Sequence, residues 1–380
     1  MDKKQFDIKE ITWQDDYSDK SSQFKSFRVK HKKSRKKLFR KTAVVFCVLV
    51  MFIVIPGGYM AFKANSNFDK MTGEKHSLIK GFIKMLPFSG SFFQIFPVEN
   101  EKESTIEKLK NNRLDRLNVL VLGIRGVGDP NGGLLSDTIM VLSFEPQTGN
   151  VALISIPRDL YVKVPHQNYK HKINETYVLG VVDEDWKKGL EYSKTVVSEV
   201  TGLDIHYATS VDFKAFKEII DILGGVTITL AQPFAERNQF EEGVIELPEG
   251  RQLIDGKTAL LFVRARFSSN DFERAKRQQQ VLIAVKDKIF GLGILSNPLK
   301  IISIFDSLGN HVKTDAELWE IQEIAIAFKK IGTSNIKRKV FDTSEAGLLY
   351  ASRDDNGSYI LLPEGDNFDK MQKVCQDIFK

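Results

Sequence analysis

The sequence predicts an α/β protein, a mixed β-sheet flanked by helices, tethered by a single N-terminal transmembrane helix. Three observations predict it. From Leu117 onward, short apolar runs of strand length alternate with amphipathic helical stretches, the pattern of a layered α/β domain. Thr42 to Phe62 (TAVVFCVLVMFIVIPGGYMAF) carries no ionisable side chain apart from Cys47 and Tyr59. Immediately before it, Arg28 to Lys41 holds nine Lys or Arg and no acid.

The elements follow in order. Residues 1–41 are a polar cytoplasmic tail, disordered over 1–27, where apolar periodicity is lacking. Residues 42–62 make a helix of roughly 31 Å, about the thickness of a bilayer's hydrocarbon core. A basic flank stays on the cytoplasmic side, so the rest of the chain is expected outside the cell membrane. A cleaved signal peptide is the weaker reading, since the basic region lies far in and the apolar core is long. Residues 63–116 form a juxtamembrane segment. Its Phe-rich stretch from Ser77 to Phe96 suits either a membrane surface or packing on the folded domain, and Glu101 to Arg116 reads as a charged helical lead-in.

The domain proper spans 117–290. Leu117 to Ile124 is a strand, followed by a Gly-rich loop. Thr138 to Phe144 and Asn150 to Ile156 flank Glu145-Pro146-Gln147-Thr148-Gly149, whose turn chemistry predicts a hairpin. A helix is expected over Lys188 to Val200, a strand over Ile205 to Val211, a helix over Phe213 to Leu223 and a strand over Val226 to Leu230. Further helices are expected over Gly256 to Val263 and Arg274 to Ile289. Residues 291–380 read as a C-terminal α/β extension on that domain, with helical patterns at Pro298 to Leu308 and Ala316 to Ile331. A strand at Gly357 to Leu362 and a last helix from Phe368 close it.

Charge narrows the function classes. The first 41 residues sum to +8 and the whole chain to +6, leaving −2 for residues 42–380. The basic character therefore belongs to the membrane flank, where anionic lipid is the expected partner, and nucleic acid is not a partner. The two cysteines, Cys47 and Cys375, lie in the anchor and near the C-terminus, and no Cys–His spacing suits zinc.

Charged residues cluster where elements end. Arg158 and Asp159 follow a strand, while Arg264 and Arg266 alternate after LLFV and so point one way if extended. Asp271, Arg274, Arg277 and Gln278 come next, with Arg274 and Gln278 one helical turn apart. Guanidinium forks grip phosphate or carboxylate with paired hydrogen bonds, so converging arginines suit a diphosphate; solvated surface arginines with local ion pairs are the alternative. His166, His171 and His206 lack a second ligand at metal spacing. Trp186 reads as core.

The succession Ser136-Asp137-Thr138, SIPRD at Ser155 to Asp159, HKIN at His171 to Asn174, LGGV at Leu223 to Val226, LIDGKTALLFVRAR at Leu253 to Arg266 and DFERAKRQ at Asp271 to Gln278 resembles the LytR–CpsA–Psr family of membrane-anchored cell-wall enzymes. The resemblance implies transfer of a glycopolymer from a polyprenyl diphosphate carrier to peptidoglycan. By motif position it implies that Arg158, Arg264, Arg266, Arg274, Lys172 and Gln278 bind the diphosphate, that Asp137 ligates Mg²⁺, and that Asp271 orients the arginines. Asp159 or Asp271 is a candidate base, and with Arg158 these form the expected catalytic set. An apolar tunnel for the polyprenyl chain is expected along Phe213, Phe216, Ile219, Ile220 and Leu223.

The first loop departs from the family pattern. Arg125 stands where most members have a metal-binding Asp, and Leu135 where they have an Arg. Asp129 is the nearby replacement ligand, or Arg125 supplies positive charge to the diphosphate in place of the metal. The loop glycines, Gly123, Gly126, Gly128, Gly132 and Gly133, would either cradle phosphate through backbone N–H groups or serve a turn. A polyprenyl-diphosphate hydrolase and a non-catalytic lipid- or polymer-binding or regulatory envelope protein are the competing readings.

Overall fold

The computed structural model describes residues 114–291, apart from 130–132, 184, 238–243 and 267–269, and residues 336–380, together with Thr105, Lys108 and scattered positions between 304 and 324. The expected membrane helix, the juxtamembrane segment and most of the two helical patterns between 298 and 331 lie outside the described residues. Among the described residues no helix is long and apolar enough to cross a membrane.

Strands β1 (Leu117–Ile124), β2 (Ser136–Glu145) and β3 (Asn150–Ser155) form an antiparallel meander. The tight turn at Glu145 to Gly149 makes the predicted hairpin, with the Gly149 amide donating to the Glu145 carbonyl. Strand β6 (Tyr207–Asp212) runs parallel beside β1, β11 (Val312–Thr314) lies antiparallel to β6, and β12 (Ile336–Val340) runs parallel to β3. The six-stranded order is β11-β6-β1-β2-β3-β12. The short strands β4 (Tyr161–Lys163) and β5 (Lys170–Lys172) pair with each other after β3.

Helices cover both faces. On one lie α1 (Thr176–Gly180), α2 (Trp186–Thr201) and α6 (Asp369–Gln376), whose Leu190, Val197, Met371 and Cys375 share a core with Leu120, Leu122, Ile139, Val141 and Ile154. Asp185 caps α2 by accepting from the Lys187 amide, and Gly202 ends it in the left-handed region. The other face carries α3 (Phe213–Ile222), α4 (Gly256–Arg264) and α5 (Asp271–Gly291), with Ile220, Phe262 and Val281 in a second core against the hairpin-like pair β7 (Val226–Leu230) and β10 (Gly250–Ile254). Asp212 and Asp255 cap α3 and α4 through the amides of Ala215 and Thr258. Gly256 permits the close α3–α4 contact, since a Cβ there would fall 2.2 Å from the Lys217 carbonyl. A further pair, β8 (Phe234–Arg237) and β9 (Val244–Leu247), extends this layer. The hairpin β13 (Leu349–Arg353) and β14 (Tyr359–Pro363) sits beside β4.

The strands and helices that the sequence predicts differ from those observed mainly at their ends, while β4, β5, β8, β9, β10, β11, β12, β13 and α1 have no counterpart in the sequence expectation. Strand β2 begins at Ser136 rather than Thr138, and α5 begins at Asp271 rather than Arg274. Arg264 is the last residue of α4, not the first of an extended segment. The buried guanidinium of Arg277 explains this: it donates to the carbonyls of Phe262 and Ala265, capping the helix after Arg264.

Candidate functional site

The site starts from a register shift. Gly123 pairs with Thr138 but Ile124 pairs with Ser136, so Asp137 is an extra residue on β2. Strict alternation would send Asp137 to the face opposite Thr138; the bulge re-aims it, and both side chains line one cavity. Gly123 is required at this point, because a Cβ would lie 2.8 Å from Thr138 Cβ.

Arg158 and Asp159 follow Pro157, which ends the β3 ladder with a turn. Arg158 Nη1 meets Asp137 Oδ1 at 2.5 Å, and its Nε lies 3.6 Å from Asp159 Oδ2 and 3.8 Å from Asp271 Oδ1. Lys172, at the end of β5, donates to Asp159 Oδ1 at 2.9 Å. Asp271 opens α5, with Arg274 one turn later. Arg274 is 5% exposed, and its Nη2 donates to the Asp137 carbonyl at 2.9 Å and to Asp271 Oδ2 at 3.1 Å. Arg266 Nη2 approaches Asp271 Oδ1 to 3.3 Å, and Arg125 Nε approaches Asp137 Oδ2 to 3.4 Å. Arg264 lies over the Phe213 ring at 4.4 Å, with Arg125 5.9 Å from the same ring.

Arg125, Arg158, Lys172, Arg264, Arg266 and Arg274 thus gather around Asp137, Asp159 and Asp271, and with Asp212, which also lines the cavity, six cations meet four carboxylates, a surplus of two positive charges. Burial works against ionisation of Asp137, but Arg158, Arg274 and Arg125 more than offset it and hold the carboxyl below its ordinary range. Burial also weakens the guanidinium of Arg274, to a value of about 10, while Asp271 supports it. For Arg158 burial is outweighed by Asp137, Asp271 and Asp159, which raise its value. The buried Nε atoms of Arg158 and Arg274 lack hydrogen-bond partners among the described residues. Unmatched cationic donors and surplus positive charge both suit an anionic ligand.

A cavity of about 210 Å³ opens from this cluster. Its charged end holds Arg125, Asp137, Arg264, Arg266, Arg274 and Gln278; its wall is Val121, Met140, Phe213, Phe216, Ile219, Ile220, Leu260, Val263 and Leu282. Of the expected tunnel residues only Leu223 does not line it; Leu223 is buried at the C-terminal cap of α3. Arg158, Asp159, Lys172 and Asp271 do not line this cavity; Arg158 and Asp271 line a second, small pocket that shares Asp137, Arg274 and Gln278 with it, and Asp159 and Lys172 pair with each other beside Arg158.

Other expected residues lie elsewhere. Asp129 sits on the loop turn, away from the cavity lining, with its amide bonded to the Gly126 carbonyl and its carbonyl to the Gly133 amide. The Gly126 amide in turn bonds the Gly133 carbonyl, so these two glycines serve the turn rather than a ligand. His171 pairs with Glu175, and His206 accepts from the Asn118 amide in a half-buried position. Sequence reasoning missed Asp212, which lines the cavity while bonded to His311, because its cap position masks it as purely structural.

Magnesium, which the resemblance implies, wants several oxygen ligands in octahedral array. Here two carboxylates line the cavity, Asp137 with its two oxygens engaged by Arg158 and Arg125 and Asp212 bonded to His311, and Asp129 is not part of the lining. Among the described residues no group of three or more His, Cys, Asp or Glu is placed to hold a metal. The donor set does not fit the ion, and a divalent cation would face repulsion from the surrounding guanidiniums.

Comparison with known proteins agrees with this geometry. Residues 96–377 match the model of the LytR_cpsA_psr family. The polyisoprenyl-teichoic acid–peptidoglycan teichoic acid transferase TagU of Oceanobacillus iheyensis is 32% identical over 301 residues, covering 78% of this chain and 82% of that protein. The corresponding transferase TagV of Bacillus subtilis is 25% identical over 355 residues, covering 90% of this chain and 79% of that protein. The crystal structure of B. subtilis TagV superposes with a TM-score of 0.55 at 23% identity, over 73% of this chain and 98% of that one. A structure described as TagT bound to LIIa-WTA gives 0.54 at 22% identity, over 74% and 94%. At that identity the two structures speak for the fold alone.

Proposed function

The chain belongs to the LytR–CpsA–Psr family, and on that premise we propose that it transfers a glycopolymer from a polyprenyl diphosphate carrier to a hydroxyl of peptidoglycan. The observation that carries this reading is the apolar cavity ending in a cationic cluster: one end suits a prenyl chain, the other a diphosphate. In the relatives named above the polymer is teichoic acid.

The acceptor oxygen attacks the phosphorus that bears the glycopolymer, forming a P–O bond. The bridging P–O bond breaks, its electron pair leaves with polyprenyl monophosphate, and the hydroxyl proton passes to Asp159 or Asp271. Phosphoryl transfer of this kind depends on positioning and neutralisation of oxygen charge. Arg264, Arg266, Arg274 and Arg125 meet the diphosphate from the cavity, Gln278 adds a hydrogen bond, and Arg158 bridges to the outer carboxylates. No step is routed through magnesium; guanidinium charge does the neutralising.

The protein is further proposed to be a single-pass membrane protein, anchored by Thr42 to Phe62 with its catalytic domain outside the cytoplasm, which places it beside a lipid carrier. Protease added to wall-stripped cells should then degrade the domain and spare the tail. Turnover of a short-chain polyprenyl diphosphate glycan by the full-length protein, with and without a glycan acceptor, tests the reaction. Product joined to acceptor is the expected result; water as the only acceptor would make the protein a hydrolase. Activity should persist in EDTA, and complete loss would overturn the metal-free mechanism.

A further inference from the structure

In-line displacement needs the attacking and leaving oxygens on opposite sides of phosphorus. Resting on the function proposed above, the leaving polyprenyl phosphate belongs to the cavity, so the acceptor must arrive from the side away from it; Asp159 and Lys172, bonded to each other, are outside the cavity lining. That side is bordered by an element with no role so far, the hairpin β13–β14. The Leu361 amide donates to the Asp159 carbonyl at 2.9 Å, and Leu160 pairs in parallel with Leu361. Tyr359 opens β14, two residues before Leu361. Tyr359 is 45% exposed, so its ring is open to a ligand. Burial raises its hydroxyl above the ordinary tyrosine value, and Asp159 and Asp271 raise it further, which agrees with its placement beside both carboxylates.

We propose that Tyr359, with Asp159 and Lys172, forms the acceptor subsite, and that its occupant is a sugar ring of the peptidoglycan glycan strand. A pyranose presents a C–H face that packs on an exposed aromatic ring, and hydroxyls that bond carboxylate and ammonium groups. The ring seats the sugar, Lys172 and Asp159 orient its hydroxyl toward the phosphorus, and Asp159 is thereby the carboxylate placed to take the proton. Tyr359 is a specificity-determining residue here, acting on the acceptor and not on the lipid.

The test uses full-length protein in detergent, with Tyr359→Ala and Tyr359→Phe. A β-1,4-linked amino-sugar tetrasaccharide is titrated by calorimetry, and initial rates are measured against the acceptor and the lipid substrate separately. Tyr359→Ala should weaken tetrasaccharide binding and raise the acceptor KM on the order of tenfold, leaving the lipid KM and the melting temperature unchanged. Tyr359→Phe keeps the ring and should restore both. Equal binding by wild type and Tyr359→Ala, no binding by wild type, or a parallel rise in both KM values would overturn the subsite. If wild type binds the tetrasaccharide through Tyr359 but never turns over the lipid, the subsite stands and the transferase reading fails.

Discussion

The two faces of the central sheet are built from equally apolar strands and end up differently. On β1, Leu120, Leu122 and Ile124 point to the α2–α6 side and are buried. Val121 and Gly123, alternating with them, point to the α3–α5 side and line the cavity, opposite Met140 and Thr138 of β2. One face is closed by large side chains of α2 and α6 meeting it directly. The other leaves a cavity between the sheet and residues of α3, α4 and α5. Stability and function are therefore separable by strand parity: neighbouring residues on one strand should give opposite phenotypes.

The largest expected effect is on the open face. Arg158→Gln removes the cation shared by Asp137, Asp159 and Asp271, and glycopolymer transfer should fall about 10²–10³-fold. The melting temperature should fall as well, since Arg158 is only one-fifth exposed and its loss leaves Asp137 without its nearest cation, but the protein should stay folded at the assay temperature. A loss of activity explained wholly by unfolding would break the division between the faces.

Next comes the closed face. Leu122→Ala should cost about 2–5 kcal/mol in denaturant unfolding, from lost burial and the cavity left behind. Val121→Ala, one residue away, deletes methyl groups that already border open space and should cost well under half as much. Equal losses would mean that the cavity face is packed like its opposite.

Strand parity also explains what was legible in the sequence. The run LNVLVLGI and the EPQTG turn identify β1 and the β2–β3 hairpin, since local alternation and turn chemistry suffice there. Motif order named the arginines, and the fold brings Arg158, Arg266 and Arg274 around Asp271. What stayed hidden rests on contacts distant in sequence. The bulge that turns Asp137 into the cavity depends on register between strands, and nothing local distinguishes Arg277, which caps α4 from α5, from Arg274, which faces the cluster. Strands of three residues such as β4 and β5 are too short for a periodic signal, and Tyr359 sits beside the cluster only because β14 pairs with Leu160.

A smaller effect sharpens the contrast. Val121→Trp should fill part of the cavity, and binding of a polyprenyl phosphate should weaken roughly 10–100-fold. Stability should hold, since the added ring enters existing space rather than a packed core. A drop in melting temperature with unchanged lipid binding would show that the prenyl chain does not use this cavity.

The smallest effect separates the faces by pH, since the titratable cluster sits on the open one. Burial disfavours the charged form of Asp137, but Arg158, Arg274 and Arg125 lower its value below that of an unfolded aspartate, about 3.9. A carboxyl whose folded value is depressed contributes stability that is fully present above the unfolded value and is lost as pH falls through the folded one. The melting temperature should therefore show no Asp137 contribution to its pH dependence from neutral down to about pH 4, and an acid decline below that. Asp137→Asn cannot titrate, so its decline below pH 4 should be shallower than that of wild type, although it starts from a lower melting temperature at neutral pH. Parallel acid limbs for the two proteins would mean that the arginines do not hold Asp137 as an ion pair, and that the acid sensitivity of the fold resides in other carboxylates.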